Sequence, residues 1–287
     1  MKKYLDALIY VTLTSIAFVF IDKIGQRINS MLLLFMMALI TMLWFHVINF
    51  GKIKQIYVAC FTNVWLFLSL MIFIAINWIC SIYAPSAADP FIYLAANFIS
   101  QAIFGYVHVF IKTKSKTSLL SMIALVICLI ILYNNYEILD GRSIDVGMLL
   151  GGISGLMGYV YAIFSGKMHQ RTDLSSTQIL AVRFWFLVIG LGIFIGYNYQ
   201  LIHLSLTNFF ITIGMAFITL IIPIYFLQQT IKKNGAQVMA KMAARVPLVV
   251  FVLYSLSQLK FNWGNFVVCI AITIALRIPD LVKLFKK

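Results

Sequence analysis

Three basic side chains, Arg183, Lys241 and Arg245, lie inside long apolar stretches of the sequence. If such a stretch crosses a membrane, a central Arg or Lys costs about 2.5–3.5 kcal/mol, so it should face the protein interior or water. Lys241 and Arg245 are four residues apart, and we expect them to share one helix face. We predict that the three side chains bind the carboxylate or phosphate of an anionic or zwitterionic solute. The alternative is that Lys241 reaches the aqueous boundary and Arg183 bonds neighbouring carbonyls.

Amide and hydroxyl groups in other apolar stretches are candidates to complete a binding pocket. Asn77, Tyr93, Asn97 and Gln101 are the residues of this kind that we select. Asn97 and Gln101 are four residues apart, so one helix face carries both. The alternative for each is an ordinary hydrogen bond between helices.

Glycines and tyrosines share one later stretch. Gly147, Gly151 and Gly155 recur every fourth residue, a spacing that allows close helix approach. We interpret them as packing residues with a further role in motion between states. Tyr159 and Tyr161 follow them, and packing is the simpler interpretation of both.

Nothing in the sequence indicates catalysis, a metal or a cofactor. The four histidines and four cysteines are scattered without ligand spacing. No phosphate-binding loop or hydrolase motif is present in the sequence. We therefore expect no enzyme, no catalytic residue and no cofactor.

The acidic residues lie near the ends of apolar stretches. Asp6, Asp22, Asp89 and Asp280 all have this position, so no mid-membrane carboxylate offers itself as a proton carrier. Asp89 precedes Pro90 at a helix start, where N-capping is the simplest role. Proton coupling stays open.

Composition assigns the chain to a membrane class. Of its 287 residues 63% are hydrophobic and 10% are charged, and the mean hydropathy is +1.00. Soluble domains carry about 25% charged residues. The net charge of +14 comes mainly from short gaps between apolar runs, which favours membrane orientation over nucleic-acid binding.

The hydrophobicity pattern predicts ten transmembrane helices, because a spanning helix needs roughly 17–25 apolar residues. The runs are Leu5–Ile21, Met31–Phe50, Tyr57–Tyr83, Ala88–Ile111, Ser118–Tyr136, Val146–Gly166, Ser175–Tyr197, Thr207–Gln229, Ala236–Leu259 and Asn265–Leu281. Their continuous apolar character excludes the alternating pattern of a barrel.

Basic residues predict the orientation of these helices. With a cytoplasmic N-terminus, the inner segments hold Lys2, Lys3, Lys52, Lys54, Lys112, Lys114, Lys116, Lys167, Arg171, Lys232, Lys233, Lys283, Lys286 and Lys287. The outer segments hold Lys23, Arg27, Arg142 and Lys260. This bias predicts that both termini are cytoplasmic. Frequent Lys, Ile, Asn and Phe are typical of AT-rich bacterial genomes, so we expect a bacterial cytoplasmic (inner) membrane.

An internal repeat is indicated by two similar segments. Lys23-Ile-Gly-Gln-Arg27 and Lys167-Met-His-Gln-Arg171 are separated by half the chain. The two halves, residues 1–144 and 145–287, would each contain five runs and enter the membrane in opposite senses. Such inverted repeats are common in alternating-access transporters.

The second half carries a family resemblance. Residues 225–236, Tyr-Phe-Leu-Gln-Gln-Thr-Ile-Lys-Lys-Asn-Gly-Ala, resemble the turn between helices eight and nine of the drug/metabolite transporter (DMT) superfamily, EamA type. Pro247 and Arg183 also match residues frequent in that family. The resemblance implies ten helices in two inverted five-helix repeats. The first half departs from the pattern: it has Met36 or Met37 where the arginine would fall.

These observations predict a secondary transporter that moves a small organic solute, such as an amino acid or another carboxylate-bearing metabolite, by alternating access. The main alternative is a lipid-handling membrane subunit, such as a flippase component of envelope synthesis, for which a cavity open sideways would be expected. A structural partner subunit without a cavity is a third reading. Monomer and homodimer stay open.

Overall fold

The computed structural model describes residues 4–24, 28–134, 143–198, 205–258 and 262–284. In the first half, these ranges contain α1 (Leu5–Ile24), α2 (Ser30–Ile48), α3 (Ile53–Thr62), α4 (Val64–Ala87), α5 (Pro90–Thr113) and α6 (Lys116–Asn134). In the second half they contain α7 (Ile144–Thr172), α8 (Ser176–Val182), α9 (Trp185–Tyr197), α10 (Leu206–Met215), α11 (Ile222–Ala243), α12 (Val246–Gln258) and α13 (Trp263–Leu284).

Within these ranges the chain is helical almost throughout and contains no strand. Eight helices there are long and apolar enough to cross a membrane, judged by length and composition. Two shorter apolar helical segments, Leu5–Ile21 and Val246–Leu256, accompany them. The chain is therefore an all-α membrane protein, as predicted.

Several basic residues used for the orientation prediction fall outside the described residues or have side chains outside them. They are Lys2, Lys3, Lys23, Arg27, Arg142, Lys260, Lys283, Lys286 and Lys287. The first member of the predicted repeat motif, residues 23–27, falls largely in this group. The second member forms the end of α7.

Three predicted runs are interrupted in the structure. The third run divides at Asn63, the seventh at Arg183–Phe184, and the ninth at Ala244–Arg245. The turn expected between the eighth and ninth runs lies inside α11, which consists of two helical segments that meet at a kink at Gly235. The φ of Gly235, 82°, is a conformation that glycine adopts without steric cost.

A proline explains the interruption near Arg245. Pro247 has no N–H, and its ring would clash with the carbonyl of Ala243, four residues earlier. Accordingly α11 ends at Ala243 and α12 begins at Val246. The helix that was predicted to carry both Lys241 and Arg245 is therefore interrupted next to Arg245, although both side chains interact with Tyr106.

The two halves of the chain use equivalent packing partners. α1, the first helix of the first half, packs against α11 and α12. α7, the first helix of the second half, packs against α4 and α5. α2 packs against α8 and α9, and α6 packs against α13. These contacts join helices that hold corresponding places in the order of the two halves.

Two hydrophobic cores result from this packing. The larger one joins buried side chains of α1, α2, α4, α7–α9 and α11. The smaller one lies between α5, α6, α12 and α13 and surrounds Tyr106. α6 and α13 thus form a pair beside the main bundle.

Two described acids, Asp89 and Asp6, lie near helix starts and form contacts there. Asp89 caps α5: its Oδ1 accepts hydrogen bonds from the backbone N–H groups of Phe91 (2.8 Å) and Ile92 (3.1 Å). The capping role considered for Asp89 is thereby confirmed. Asp6 forms an ion pair with Lys233 at 2.7 Å. The side chain of Asp22 lies outside the described residues.

Candidate functional site

A cavity lies between the two halves of the chain. About 60 Å³ of it can be occupied by the centre of a water molecule, which is room for about four to six waters. Its walls are Tyr10, Thr14, Phe18, Ile74, Asn77, Trp78, Ser81, Asn97, Phe98 and Gln101 from the first half, and Gly158, Tyr161, Arg183, Thr219, Ile224, Leu227 and Met239 from the second. None of these residues is exposed, so the cavity lies inside the helix bundle and suits a small solute.

Arg183 is the charged residue in this wall. It lies where the seventh run breaks between α8 and α9, and only 1% of its surface is exposed. Its Nη1 donates a hydrogen bond to the Tyr161 hydroxyl at 2.9 Å. Its Cζ lies 4.4 Å from the Phe184 ring centroid and 5.3 Å from that of Tyr161. These contacts hold one end of the guanidinium and cover it with aromatic rings.

The other nitrogens of Arg183 have no hydrogen-bond acceptor. Nε and Nη2 are both buried without a partner, and no described acid forms an ion pair with this residue. The N–H bonds of Nε and Nη2 point in parallel and form the fork that binds a carboxylate through both oxygens. A buried charge without a counter-ion is costly. The free fork therefore favours an anionic ligand at this position.

Two unpartnered acceptors lie in the opposite half of the wall. Asn97 and Gln101 are 4% and 6% exposed, and both belong to α5. Asn97 Oδ1 and Gln101 Oε1 have no hydrogen-bond donor. An ammonium or hydroxyl group would satisfy them. The residues that line the cavity thus include one with unpartnered donors from the second half of the chain and two with unpartnered acceptors from the first.

Two other predicted site residues, Asn77 and Tyr93, form hydrogen bonds with other protein groups. Asn77 Nδ2 donates to the Ser154 carbonyl oxygen at 2.8 Å and to its Oγ at 2.9 Å, which ties α4 to α7. The Tyr93 hydroxyl lies 2.6 Å from Ser81 Oγ and 2.9 Å from Ser154 Oγ. Asn97 Nδ2 donates to that hydroxyl at 3.5 Å. Asn77 lines the cavity, whereas Tyr93 supports Asn97 from behind.

Lys241 and Arg245 are not part of the cavity wall. The Lys241 ammonium lies 4.8 Å from the ring centroid of Tyr106, in the smaller core. Arg245 is half-buried, donates to the sulfur of Met242, and interacts electrostatically with Arg277 and Tyr106. Of the three cations selected from the sequence, the structure brings Arg183 alone to the cavity.

Sequence reasoning missed part of the wall and gave too little weight to another part. Tyr10 and Thr14 of α1 were not selected, although their four-residue spacing places both on one helix face. Tyr161 was only a weak candidate, with packing as its simpler interpretation, yet it lines the cavity and holds Arg183. Gln228, which binds Tyr161, lies at the predicted end of the eighth run and gave no comparable signal.

The chemistry of the site is that of binding. A fixed cationic fork, two amide oxygens and aromatic walls can hold a small solute that carries both an acceptor and a donor group. Among the described residues there is no group of His, Cys, Asp or Glu arranged to hold a metal ion.

Comparisons with known proteins add information on the fold. No family model and no curated protein matches the chain. A solved structure described as "Crystal structure of protein" covers 98% of this chain and 97% of its own, with a TM-score of 0.65 and 11% identity. At this identity the likeness concerns the fold alone.

Proposed function

We propose that this protein is a secondary transporter of a small carboxylate-bearing solute, most simply an amino acid. One observation carries the proposal: Arg183 lines the cavity between the two halves, and it is buried there with two guanidinium nitrogens that have no hydrogen-bond partner. Because water is absent from the lipid interior, a buried cation without a partner marks a path for something negative. The site does not use groups arranged for catalysis, so transport is favoured over an enzymatic role.

The proposed architecture is ten transmembrane helices in two inverted five-helix repeats of the DMT superfamily, EamA type. The equivalent packing partners of α1 and α7 support a repeat. An odd number of helices in each half makes the repeats antiparallel in the membrane. Alternating access would rock the halves about the cavity. The proposed location is a bacterial cytoplasmic membrane with both termini inside.

The proposed substrate is zwitterionic. Its carboxylate would accept two hydrogen bonds from Arg183 Nε and Nη2. Its ammonium would donate to Asn97 Oδ1 and Gln101 Oε1, which otherwise stay buried and unpaired. Leaving such groups unpaired is costly, so a ligand that lacks either charge should bind more weakly.

Thermal shift with matched ligands tests this proposal, because a ligand that binds the folded state raises its apparent stability. L-alanine carries both charges, propionate only the carboxylate, and L-alaninamide only the ammonium. We expect L-alanine to raise the Tm of the purified protein most, propionate less, and L-alaninamide not at all. Equal shifts from L-alanine and L-alaninamide would contradict the role of the Arg183 fork.

Uptake into proteoliposomes tests transport itself. Radiolabelled L-alanine should enter vesicles that contain the protein and should exchange with unlabelled L-alanine inside. Binding without movement across the membrane would contradict a transporter. A lipid-handling role would instead be supported if fluorescent phospholipids changed leaflet.

Gly158→Ala is expected to weaken L-alanine binding about tenfold while leaving the Tm within 2 °C of the wild type. A methyl group at this position would meet the amide nitrogens of Gln101 and, at 3.1 Å, Asn77. The Gln101 amide is the end of a flexible side chain and must move away from the methyl group. Asn77 Nδ2, which Ser154 holds by two hydrogen bonds, has to shift by only a few tenths of an ångström. Gly152→Ala is the control on the same helix, because nothing lies within 4 Å of its added Cβ. Unchanged affinity in Gly158→Ala would show that Gln101 does not contact the ligand.

A further inference from the structure

A continuous chain of buried hydrogen bonds leads from Arg183 to the end of α7. The Tyr161 hydroxyl accepts from Arg183 Nη1 and donates to Gln228 Oε1 at 2.8 Å. Gln228 Nε2 contacts His169 Nε2 at 2.9 Å and also bonds the hydroxyl of Ser165. His169 Nδ1 lies 2.8 Å from the carbonyl oxygen of Leu174. Apart from Arg183, which lies between α8 and α9, the side chains belong to α7 and α11, and all are buried.

The direction of every bond in this chain is determined from its far end. The Leu174 carbonyl can only accept, so His169 Nδ1 carries the hydrogen. In the neutral ring, Nε2 is then an acceptor, and it faces the amide nitrogen of Gln228. This fixes which end of Gln228 is its oxygen, and that oxygen takes the hydrogen of Tyr161. The hydroxyl oxygen of Tyr161 is thereby left to accept from Arg183.

This order has a consequence for the anion-binding fork. Nη1 is the nitrogen of Arg183 that the chain engages, and Nε and Nη2 are the two that stay free. Phe184 covers the guanidinium 4.4 Å from its centre, and the bond to Tyr161 restricts rotation of the group in its plane. With both restraints, the free fork has one orientation.

We infer that Gln228 and His169 are positioning residues that orient Arg183 for the anionic group of the solute through Tyr161. The inference rests on the proposed function for the identity of the anionic group, but not for the effect on Arg183. If Gln228 or His169 loses its hydrogen-bonding group, the hydrogen of the Tyr161 hydroxyl is no longer directed at the Gln228 oxygen and can point elsewhere. The guanidinium then rotates more freely, and the fork must be ordered at the moment of binding.

A ligand-independent experiment tests the effect on Arg183. The full-length protein is labelled with ¹⁵N-arginine, and the Arg183 side-chain resonance is assigned by its loss in Arg183→Gln. We expect this resonance to shift or broaden in Gln228→Leu. Thr230→Val is the matched control, because Thr230 is equally buried on α11 and bonds only the carbonyl of Phe226 in its own helix. An unchanged Arg183 resonance in Gln228→Leu would overturn the inference.

A binding experiment tests the link to the solute with L-alanine as the probe. Gln228→Leu should raise the Kd for L-alanine about tenfold and change the maximal uptake rate less than threefold. Adding Gln228→Leu to Arg183→Gln should have no further effect on the Kd, because positioning requires the group that is positioned. If no protein, wild type included, binds L-alanine, the proposed substrate fails while the resonance experiment still decides the positioning role.

Conservative replacements separate positioning from general packing. His169→Gln keeps an acceptor near the place of Nε2, so its Kd should stay within threefold of the wild type, whereas His169→Leu should behave like Gln228→Leu. Tyr161→Phe keeps the ring beside Arg183 and removes only the hydroxyl. If Gln228→Leu does not fold, Tyr161→Phe takes its place in the same two experiments. Equal effects of His169→Gln and His169→Leu on the Arg183 resonance and the Kd would contradict the inference.

Discussion

Replacing Arg183 with glutamine is expected to abolish L-alanine binding while leaving the empty protein at least as stable as the wild type. Removal of one partner from a buried, hydrogen-bonded charge pair costs about 2–5 kcal/mol. The Kd should therefore rise at least 30-fold. Titration calorimetry on the purified protein measures this change, and proteoliposome uptake should fall to the level of empty vesicles.

The expected gain in stability has a separate physical reason. Arg183 is 1% exposed and two of its three guanidinium nitrogens are unpartnered. Without a ligand, its buried charge therefore destabilises the folded state. A neutral glutamine removes that penalty at the cost of one hydrogen bond to Tyr161. The Tm of ligand-free Arg183→Gln should equal or exceed that of the wild type. A strongly lowered Tm would instead mean that Arg183 serves to hold the fold.

Three control substitutions sharpen the test of Arg183. Arg183→Lys keeps the charge but loses the planar fork, so its affinity should be intermediate. Arg277→Gln removes an exposed cation of α13 and should have no effect on binding. Arg245→Gln tests the sequence-based prediction that Arg245 binds the solute. Because this side chain lies outside the cavity wall, we expect the Kd for L-alanine to change by less than threefold.

The sequence predicts the membrane class and the buried character of one cation well, because both follow from simple energetic costs. Runs of about 20 apolar residues can satisfy their backbone only as helices in lipid. An arginine in such a run must avoid lipid, and Arg183 is indeed buried. Asn97 and Gln101 were placed on one face by their spacing, and both line the cavity.

The sequence does not predict which cation reaches the cavity. Distance along a helix can be counted at about 1.5 Å per residue, so Arg183, Lys241 and Arg245 could be assigned to similar depths. The direction of a side chain around the bundle depends on the neighbours of its helix, and these are set by tertiary packing. Lys241 faces Tyr106 in the smaller core, whereas Arg183 faces Tyr161.

Helix interruptions are a second feature that local sequence determines only in part. The break before Val246 follows from Pro247, because a proline ring clashes with the backbone carbonyl of the residue four positions earlier. The break at Arg183–Phe184 has no glycine or proline at or beside it. Nothing in the periodicity of this run therefore distinguishes it from an unbroken helix.

Gly155→Ala is expected to destabilise the protein by about 3 kcal/mol and to lower the apparent Tm by about 6–12 °C. An added Cβ would overlap the carbonyl oxygen of Asn97 and lie 2.7 Å from Ser100 Cβ and 3.0 Å from the backbone nitrogen of Gln101. Two of these atoms belong to the backbone of α5, so no side-chain rotation relieves the overlap. α5 must move away from α7, with loss of close packing along the interface.

The position of Gly155 connects this loss of packing to the binding site. The backbone that the methyl group would displace carries Asn97 and Gln101, which line the cavity and whose side-chain oxygens have no hydrogen-bond donor. Gly155→Ala should therefore lose L-alanine binding together with stability, whereas Gly158→Ala should lose affinity alone. Gly152→Ala, on the same helix with open space around its Cβ, should lose neither. Equal Tm values for Gly152→Ala and Gly155→Ala would contradict this argument. They would show that close contact at Gly155 does not set the spacing between α5 and α7 beside the cavity.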